Sequence, residues 1–324
     1  MVKVSVIIVN RNGKEYLDNC LTSLFGQSYK NFHLIFVDNG STDGSIDFVK
    51  NNFPGVKVIA LDKNYGFAKG NNIGIEEALK DKEVKHVALL NNDTKVDKNW
   101  LEELVKVAEN DDKIGSCQSK ILFLDNPQVI DAVGIGIKRN GTTYHIGWQE
   151  EDKGQYENIS EIFAVCAAAS LYRRNMLTQI GLFDEDFFAY YEDVDLSSRA
   201  KFAGWKCMYV PKAIVYHKHC ATFGKDSPFL AYLGQRNQYY YKIKNLPTGI
   251  IFNFLMRQTG SIIVTFLSII KRTILGDNKT IRSRSSYLKA NFDAFKNIPK
   301  MLKKRKRIHS ARLISNKELK KWFK

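Results

Sequence analysis

The feature that most constrains this chain is the rhythm of its first hundred residues, where β-rich apolar runs alternate with segments of helical periodicity. Val4–Val9 reads as a buried strand. Gly13–Phe25 follows as a helix, with Tyr16, Leu17, Cys20, Leu21 and Leu24 at helical spacing. Phe32–Val37, Val56–Leu61 and His86–Leu90 read as further strands, with helices over Ser45–Val49 and Phe67–Leu79 between them. This alternation predicts right-handed βαβ units on a mostly parallel sheet. Such sheets bind ligands at the carboxyl ends of their strands. Every predicted strand here ends in polar residues: Asn10-Arg11-Asn12, Asp38-Asn39-Gly40-Ser41, Asp62-Lys63-Asn64 and Asn91-Asn92-Asp93. No Gly-x-Gly-x-x-Gly follows the first strand, which argues against a dinucleotide dehydrogenase.

From about residue 113 the pattern loosens. Gly134, Gly136, Gly141 and Gly147 punctuate short β-like pieces, read as hairpins or loops over the first half. Phe163–Tyr172 reads as a strand, Glu192–Ala203 as a helix, and Lys206–Val210 and Ala213–His217 as two strands. Beyond Pro228 the chain reads as helical, interrupted near Pro247 and Pro299.

The acidic residues at the strand ends carry the chemistry. Asp38 opens Asp38-Asn39-Gly40-Ser41-Thr42-Asp43-Gly44, where it can make a turn or contact a base or ribose. Asp93 can cap a turn or hold a divalent metal against a diphosphate, since hard cations take oxygen ligands. Glu192-Asp193-Val194-Asp195 complements a helix dipole, yet three carboxylates in four positions exceed that need. The flanking aromatics Phe187, Phe188, Tyr190 and Tyr191 would raise a carboxylate's proton affinity by burial, as a general base requires. His217, at a strand end, and His219 are structural residues or imidazole ligands for the same metal.

Taken in order, VSVIIVNRNGKEYLDNCLTSL, VDNGSTDGS, NYGFAKGNNIGI, LLNNDT and GLFDEDFFAYYEDVDLSSRAKFAGW resemble the inverting glycosyltransferases of family 2, in particular the rhamnosyltransferase-like branch of bacterial polysaccharide assembly. The resemblance covers about residues 1–245. It implies a GT-A fold, an α/β Rossmann-like mixed sheet flanked by helices, here with a C-terminal helical extension. Residues 1–112 would form the nucleotide-binding half, 113–245 the acceptor-binding half, and 246–324 a helical basic tail. The implied reaction moves a sugar from a UDP- or dTDP-sugar to a hydroxyl of a glycan or lipid-linked acceptor, with inversion and with Mg or Mn. By resemblance, Val9, Asn10, Arg11 and Asp38 would hold the base and ribose. Asn64, Gly66, Asn71 and Asn92 would line the donor pocket, and Asp93 and His217 would bind the metal. Asp193 would be the base, with Glu192, Asp195 and Tyr191 on the acceptor side. The motifs depart from the family in two places: Asn91-Asn92-Asp93 carries one carboxylate where Asp-x-Asp is usual, and Ala167-Ala168 stands where Gly-Ala is usual. The absence of a Gln-x-x-Arg-Trp motif argues against a processive synthase.

Charge is unevenly placed. The net charge is +15, and residues 271–324 hold 18 Lys/Arg against 3 Asp/Glu, so the remainder is neutral. The run Lys303-Lys304-Arg305-Lys306-Arg307 predicts an anionic membrane surface as partner. Ile250–Leu275 is the most apolar helical stretch. Its longest run without a charge or amide, Ser261–Ile270, would span about 15 Å as helix, too short to cross a bilayer alone. It is read as an interfacial segment or a packing surface, including for a homodimer. Five cysteines without a CxxC pair point to a reducing compartment, and Val4–Val9 is too short for a signal-peptide core. The expected location is cytoplasmic, at the inner face of the cell membrane. Two rival readings are a nucleotidyltransferase and a non-catalytic scaffold for nucleic acid. The scaffold has no use for the acidic cluster at 192–195, so no nucleic acid is expected.

Overall fold

A computed structural model describes residues 1–218, 227–274 and 278–324, with side chains left undescribed at 271–274 and 278–283. His219 and Cys220 therefore lie outside the described residues, as does part of the basic segment. The first half follows the predicted alternation: β1 (Lys3–Asn10), α1 (Lys14–Phe25), β2 (Phe32–Asp38), α2 (Ser45–Asn52), β3 (Lys57–Ala60), α3 (Gly66–Leu79) and β4 (Val84–Leu90). β5 (Thr94–Val96), α4 (Trp100–Glu109), β6 (Ile114–Phe123) and β7 (Asn126–Ala132) come next, then a hairpin of β8 (Ile135–Ile137) and β9 (Thr143–His145). β10 (Ser160–Ile162), β11 (Ala169–Arg173), α5 (Arg174–Ile180), α6 (Glu192–Phe202) and β12 (Lys206–His217) complete the sheet region. Among the described residues, α7 (Pro228–Asn245), α8 (Thr248–Ile274), α9 (Asn278–Lys296), α10 (Ile298–Ser310) and α11 (Asn316–Lys320) follow.

Among the described residues the main sheet has ten strands. Its principal path runs β10-β12-β6-β11-β4-β1-β2-β3, with β5 on β12 and β7 on β6. β3, β2, β1 and β4 are mutually parallel, and β11 runs antiparallel to β4 and β6. The halves expected on either side of residue 112 thus share one sheet. β1 is buried on both faces, as a central parallel strand must be. One face is covered by α1 and α4, whose apolar residues recur at helical spacing (Leu17, Cys20, Leu21 and Leu24; Trp100, Leu101, Leu104 and Val105). The other face is covered by α3, α5 and α6. A third apolar core lies beneath the C-terminal helices, around Phe187, Tyr239, Tyr241 and Phe254.

Three readings change. The run Phe163–Tyr172 is not one strand, because the backbone N–H groups of Val165, Cys166 and Ala167 donate to Ser197, Gln118 and Asp193 side chains. The segments 206–210 and 213–217 form a single strand, with a register shift against β6 between Val210 and Ile214. The apolar C-terminal stretch is a 27-residue helix, α8, and Thr248–Ile270 within it is long and apolar enough to cross a membrane by length and composition. Counting each amide and Arg257 as a break understated it, since scattered polar residues leave the helix apolar on average.

Candidate functional site

β1 and β4 lie side by side while their connections run to opposite sides, so a crevice opens at their carboxyl ends. Asn10 closes β1 and is fully buried. Its amide donates to Asp38 Oδ1 at 3.2 Å and its carbonyl accepts from Asn92 Nδ2 at 2.6 Å, tying β1 to the turn after β4. Gly13 is required beside this bridge: a Cβ there would lie 2.1 Å from Asn92 Nδ2. Asp38 Oδ2 accepts from the Ser41 N–H at 2.8 Å. The carboxylate of Asp38 is therefore spent on the turn and on Asn10, and Asp38 does not line the cavity described next.

That cavity, of about 440 Å³, is lined on the crevice side by Val9, Arg11, Asn64, Gly66, Asn92 and Asp93. Asn39, unforeseen in the sequence, also lines it. Its carbonyl oxygen accepts from the Tyr65 N–H at 2.8 Å and its amide donates to Asn64 Oδ1 and the Gly66 carbonyl at 3.1 Å. Arg11 donates to the carbonyls of Asn39 and Gly40. Gly66 has φ +86°, and a Cβ there would meet Phe188 at 2.6 Å. Asn71 is buried within α3 and donates to the Phe67 carbonyl at 2.9 Å; Asn71 and Asn10 are absent from the lining.

Asp93, just beyond β4, meets His217 at the end of β12. His217 Nε2 stands 3.3 Å from Asp93 Oδ1, and its Nδ1 is 2.7 Å from Asp131 Oδ2. Burial lowers the proton affinity of His217, but hydrogen bonds and charge from Asp131 and Asp93 prevail and hold it up to about 10. Asp131 was not anticipated, although a lone carboxylate in Val129-Ile130-Asp131-Ala132-Val133 was a readable signal of a paired buried charge. The group fits a divalent cation in part: Asp93 Oδ1 is buried with His217 Nε2 facing it at 3.3 Å, a place a cation takes only if that nitrogen gives up its proton, and a histidine held by a carboxylate through its other nitrogen is the usual supporting arrangement for a ligand. Among the described residues no group of three His, Cys, Asp or Glu side chains could by itself hold a metal ion, so these residues would supply only part of a shell.

The start of α6 supplies more of the cavity lining. Tyr191, Glu192 and Asp193 line the same cavity as Asp93 and His217. Asp193 Oδ2 accepts from the Ala167 N–H at 3.2 Å and Oδ1 from the Val194 N–H at 2.7 Å. Burial raises the proton affinity of Asp193, against these two backbone donors. Burial, and then the Asp193 charge, push Glu192 well above the ordinary glutamate range, and Glu192 Oε2 has no hydrogen-bond partner. The environment thus separates two neighbouring acids. Asp195, expected beside the acceptor, is fully buried and does not line the cavity. It is paired with Lys244 at 2.7 Å and Arg199 at 3.0 Å, and accepts from Asn245 at 2.8 Å. Two residues along a helix turn a side chain to the other face, so Asp193 and Asp195 cannot share a role.

The loop before α6 is strained. Phe188, Tyr190 and Tyr191 have φ of +66°, +69° and +72°, unfavourable for aromatic residues. Asn237 of α7 secures it: its buried amide group lies 2.9, 2.7 and 2.9 Å from the carbonyls of Phe187, Ala189 and Tyr190. Tyr144 and His145, on β9, complete the cavity wall.

With this geometry in place, comparison with known proteins is specific. A sequence model of the family described as Glycosyl transferase family 2 matches residues 5–181. A low-salt glycan biosynthesis hexosyltransferase of Haloferax volcanii is 25% identical over 203 residues, covering 61% of each chain. An N-acetylglucosaminyl-diphospho-decaprenol L-rhamnosyltransferase of Mycobacterium tuberculosis is 26% identical over 238 residues, 68% of this chain and 78% of the relative. Among solved structures, GalNAc-T7 with UDP, GalNAc and Mn2+ superposes with TM-score 0.59 and 18% identity, over 75% of this chain and 48% of that one. The chain therefore spans less than two thirds of the Haloferax relative and about half of that structure.

Proposed function

Because the chain belongs to glycosyl transferase family 2 and has the GT-A fold, we propose that it transfers a sugar, with inversion, from a nucleoside-diphosphate donor to a hydroxyl of a glycan or lipid-linked acceptor. The observation that carries this reading is that Asp93 and Asp193 line one cavity. On the crevice side, Arg11 and Asn64 reach the donor, while the buried Asn10–Asn92–Asp38 set keeps the strand ends in register. Asp93 and His217 would hold Mg or Mn; when bound, the metal neutralises charge on the departing diphosphate. Asp193, with a proton affinity raised by burial, takes the proton of the attacking hydroxyl. Glu192, whose proton is held more tightly by burial and by the Asp193 charge, leaves Asp193 the better base of the pair. The aromatic loop 187–191 excludes water and faces the acceptor.

UDP- and dTDP-sugars are the candidate donors, and rhamnose comes first because the Mycobacterium relative is an L-rhamnosyltransferase. Bacterial polysaccharide synthesis at the cytoplasmic side of an anionic membrane is the setting we assign. Free thiols at Cys20, Cys117, Cys166 and Cys207 are consistent with a reducing compartment. The test is a thermal-shift screen of UDP- and dTDP-sugars with Mg or Mn, followed by assay of nucleoside diphosphate release. The expected result is one donor class that both stabilises the protein and is turned over. If no nucleotide sugar does either, the reading is wrong.

A further inference from the structure

α8 shows two unlike sides. Its inner side is fixed to the body: Phe254 packs edge-on against Tyr239 with ring centroids 4.7 Å apart, and Gln258 accepts from Gln235 at 2.9 Å and from Tyr287 at 2.8 Å. Its outer side carries Phe252, Met256, Ile263, Leu267 and Ile270, each between 48% and 63% exposed. Their spacing of four, seven, four and three residues places them on one stripe. Phe292 of α9 and Leu302 of α10 are exposed as well. A well-packed protein rarely leaves so much apolar surface on one set of helices without a use for it.

Exposed basic side chains stand on the neighbouring helices α9 and α10. Exposed Lys289 and Lys296 bracket Phe292 at helical spacing, and exposed Lys303, Lys306 and Arg307 follow Leu302. The only carboxylate among the described side chains of α8–α10 is Asp293, and it accepts from the Tyr232 hydroxyl at 2.6 Å. We infer that the outer face of α8–α10 is an in-plane docking surface for an anionic lipid bilayer, with the α8 stripe inserted among the acyl chains and the lysines on the headgroups. This deepens the membrane setting assigned above. It replaces the basic run as the main attachment, because Lys304 is held by Asp184 and Asp186, and Arg305 donates to the carbonyls of Ile243 and Leu246. A second copy of the chain is disfavoured as occupant, since a two-fold contact would set the lysines of one copy against those of the other. Crossing the bilayer is disfavoured too: α8 would have to take its own Arg257 and Gln258 into hydrocarbon and break the bonds from Gln235 and Tyr287 to Gln258. The surface also connects to the cavity. Phe229 of α7 stands 5.8 Å from Phe188, a cavity-lining ring, and 6.4 Å from Tyr232, which bonds Asp293 beside Phe292. Docking in this pose would set the cavity close to the headgroups, where a lipid-linked hydroxyl waits.

The experiment is co-sedimentation of the full chain with vesicles of phosphatidylglycerol and phosphatidylcholine, and of phosphatidylcholine alone. Wild type is expected to bind the anionic vesicles. M256Q/I263Q/L267Q should lower that binding at least tenfold with an unchanged melting temperature, and K303Q/K306Q/R307Q should lower it several-fold. In case the triple variant folds poorly, the Leu267→Trp emission, taken as the difference from wild type with its four tryptophans, should shift to the blue on addition of anionic vesicles. Equal binding by wild type and a folded triple variant, or no binding by wild type, overturns the proposal, as does a Leu267→Trp emission that stays unmoved. A dimer that the triple substitution dissociates in lipid-free buffer, with no vesicle binding, assigns the face to a second copy instead. Resistance of the reconstituted protein to alkaline extraction assigns it to a spanning helix instead. Binding is read without donor or acceptor, so a failure of the transferase reading leaves this result interpretable.

Discussion

Asp193 and Asn237 show what single residues contribute here. If Asp193 is the base, Asp193→Asn should reduce kcat by roughly 10²- to 10⁴-fold while donor affinity stays close to wild type; steady-state kinetics and donor titration check this. Burial raises its proton affinity above the ordinary aspartate value of 3.8, and the base acts only when deprotonated. The rate should therefore be lost as pH falls through a value higher than that of an exposed aspartate, visible as the acid limb of a kcat/KM profile. Asn237 acts at one remove. Asn237→Asp replaces its donor group with a second acceptor oxygen against three carbonyls. A loss of about 2–3 kcal/mol in unfolding free energy is expected, with kcat falling more than the donor KM rises. The acidic cluster was legible as a dense acidic and aromatic motif, and Asp193 was singled out within it only by the family resemblance. Asn237 was not, since a buried amide in a helix has no sequence signature until the loop it secures is in place.

At the scale of elements, α10 shows how the C-terminal helices are held to the site. Lys304 bridges Asp184 at 2.5 Å and Asp186 at 2.7 Å, in the segment that leads into the strained loop. Burial works to raise the pKa of Asp184, but Lys244 and Lys304 outweigh it and hold the group far below the ordinary range. A depressed carboxylate contributes stability that is present above its unfolded value, near 3.8, and lost as pH falls below it. Lys304→Gln should therefore lower the melting temperature at neutral pH by an amount equivalent to about 1–2 kcal/mol. It should also flatten the loss of stability on acidification below pH 4; melting curves from pH 7 to 3 check both. The same contacts divide the basic run: its charge was plain in the sequence, while the internal partners of Lys304 and Arg305 were not.

For the molecule as a whole, the C-terminal segment is a structural part of the body. Met301 and Leu319 are buried, Lys201 lies 3.7 Å from the centroid of the Trp322 ring, and the Lys324 N–H donates to the Ile137 carbonyl at 3.0 Å. Deleting residues 298–324 would thus uncover the third core. Losing the buried Met301 and Leu319 alone is expected to cost about 4–10 kcal/mol, and the remainder should melt far below the intact chain or fail to express in soluble form. For the same reason such a truncation cannot serve as a test of membrane attachment, whereas substitutions on the exposed stripe can.

The alternating strands and helices, the polar strand ends and the acidic cluster were legible directly, because periodicity and turn chemistry are local properties of the chain. What local order cannot encode is which buried polar groups meet. Asp131 joins His217, Asn39 joins Asn64, and Asp195 leaves the site for Lys244 and Arg199 only once the sheet and α7 are assembled. Those pairings follow from burial, since a polar group removed from water must find whatever partner the packed fold brings within reach.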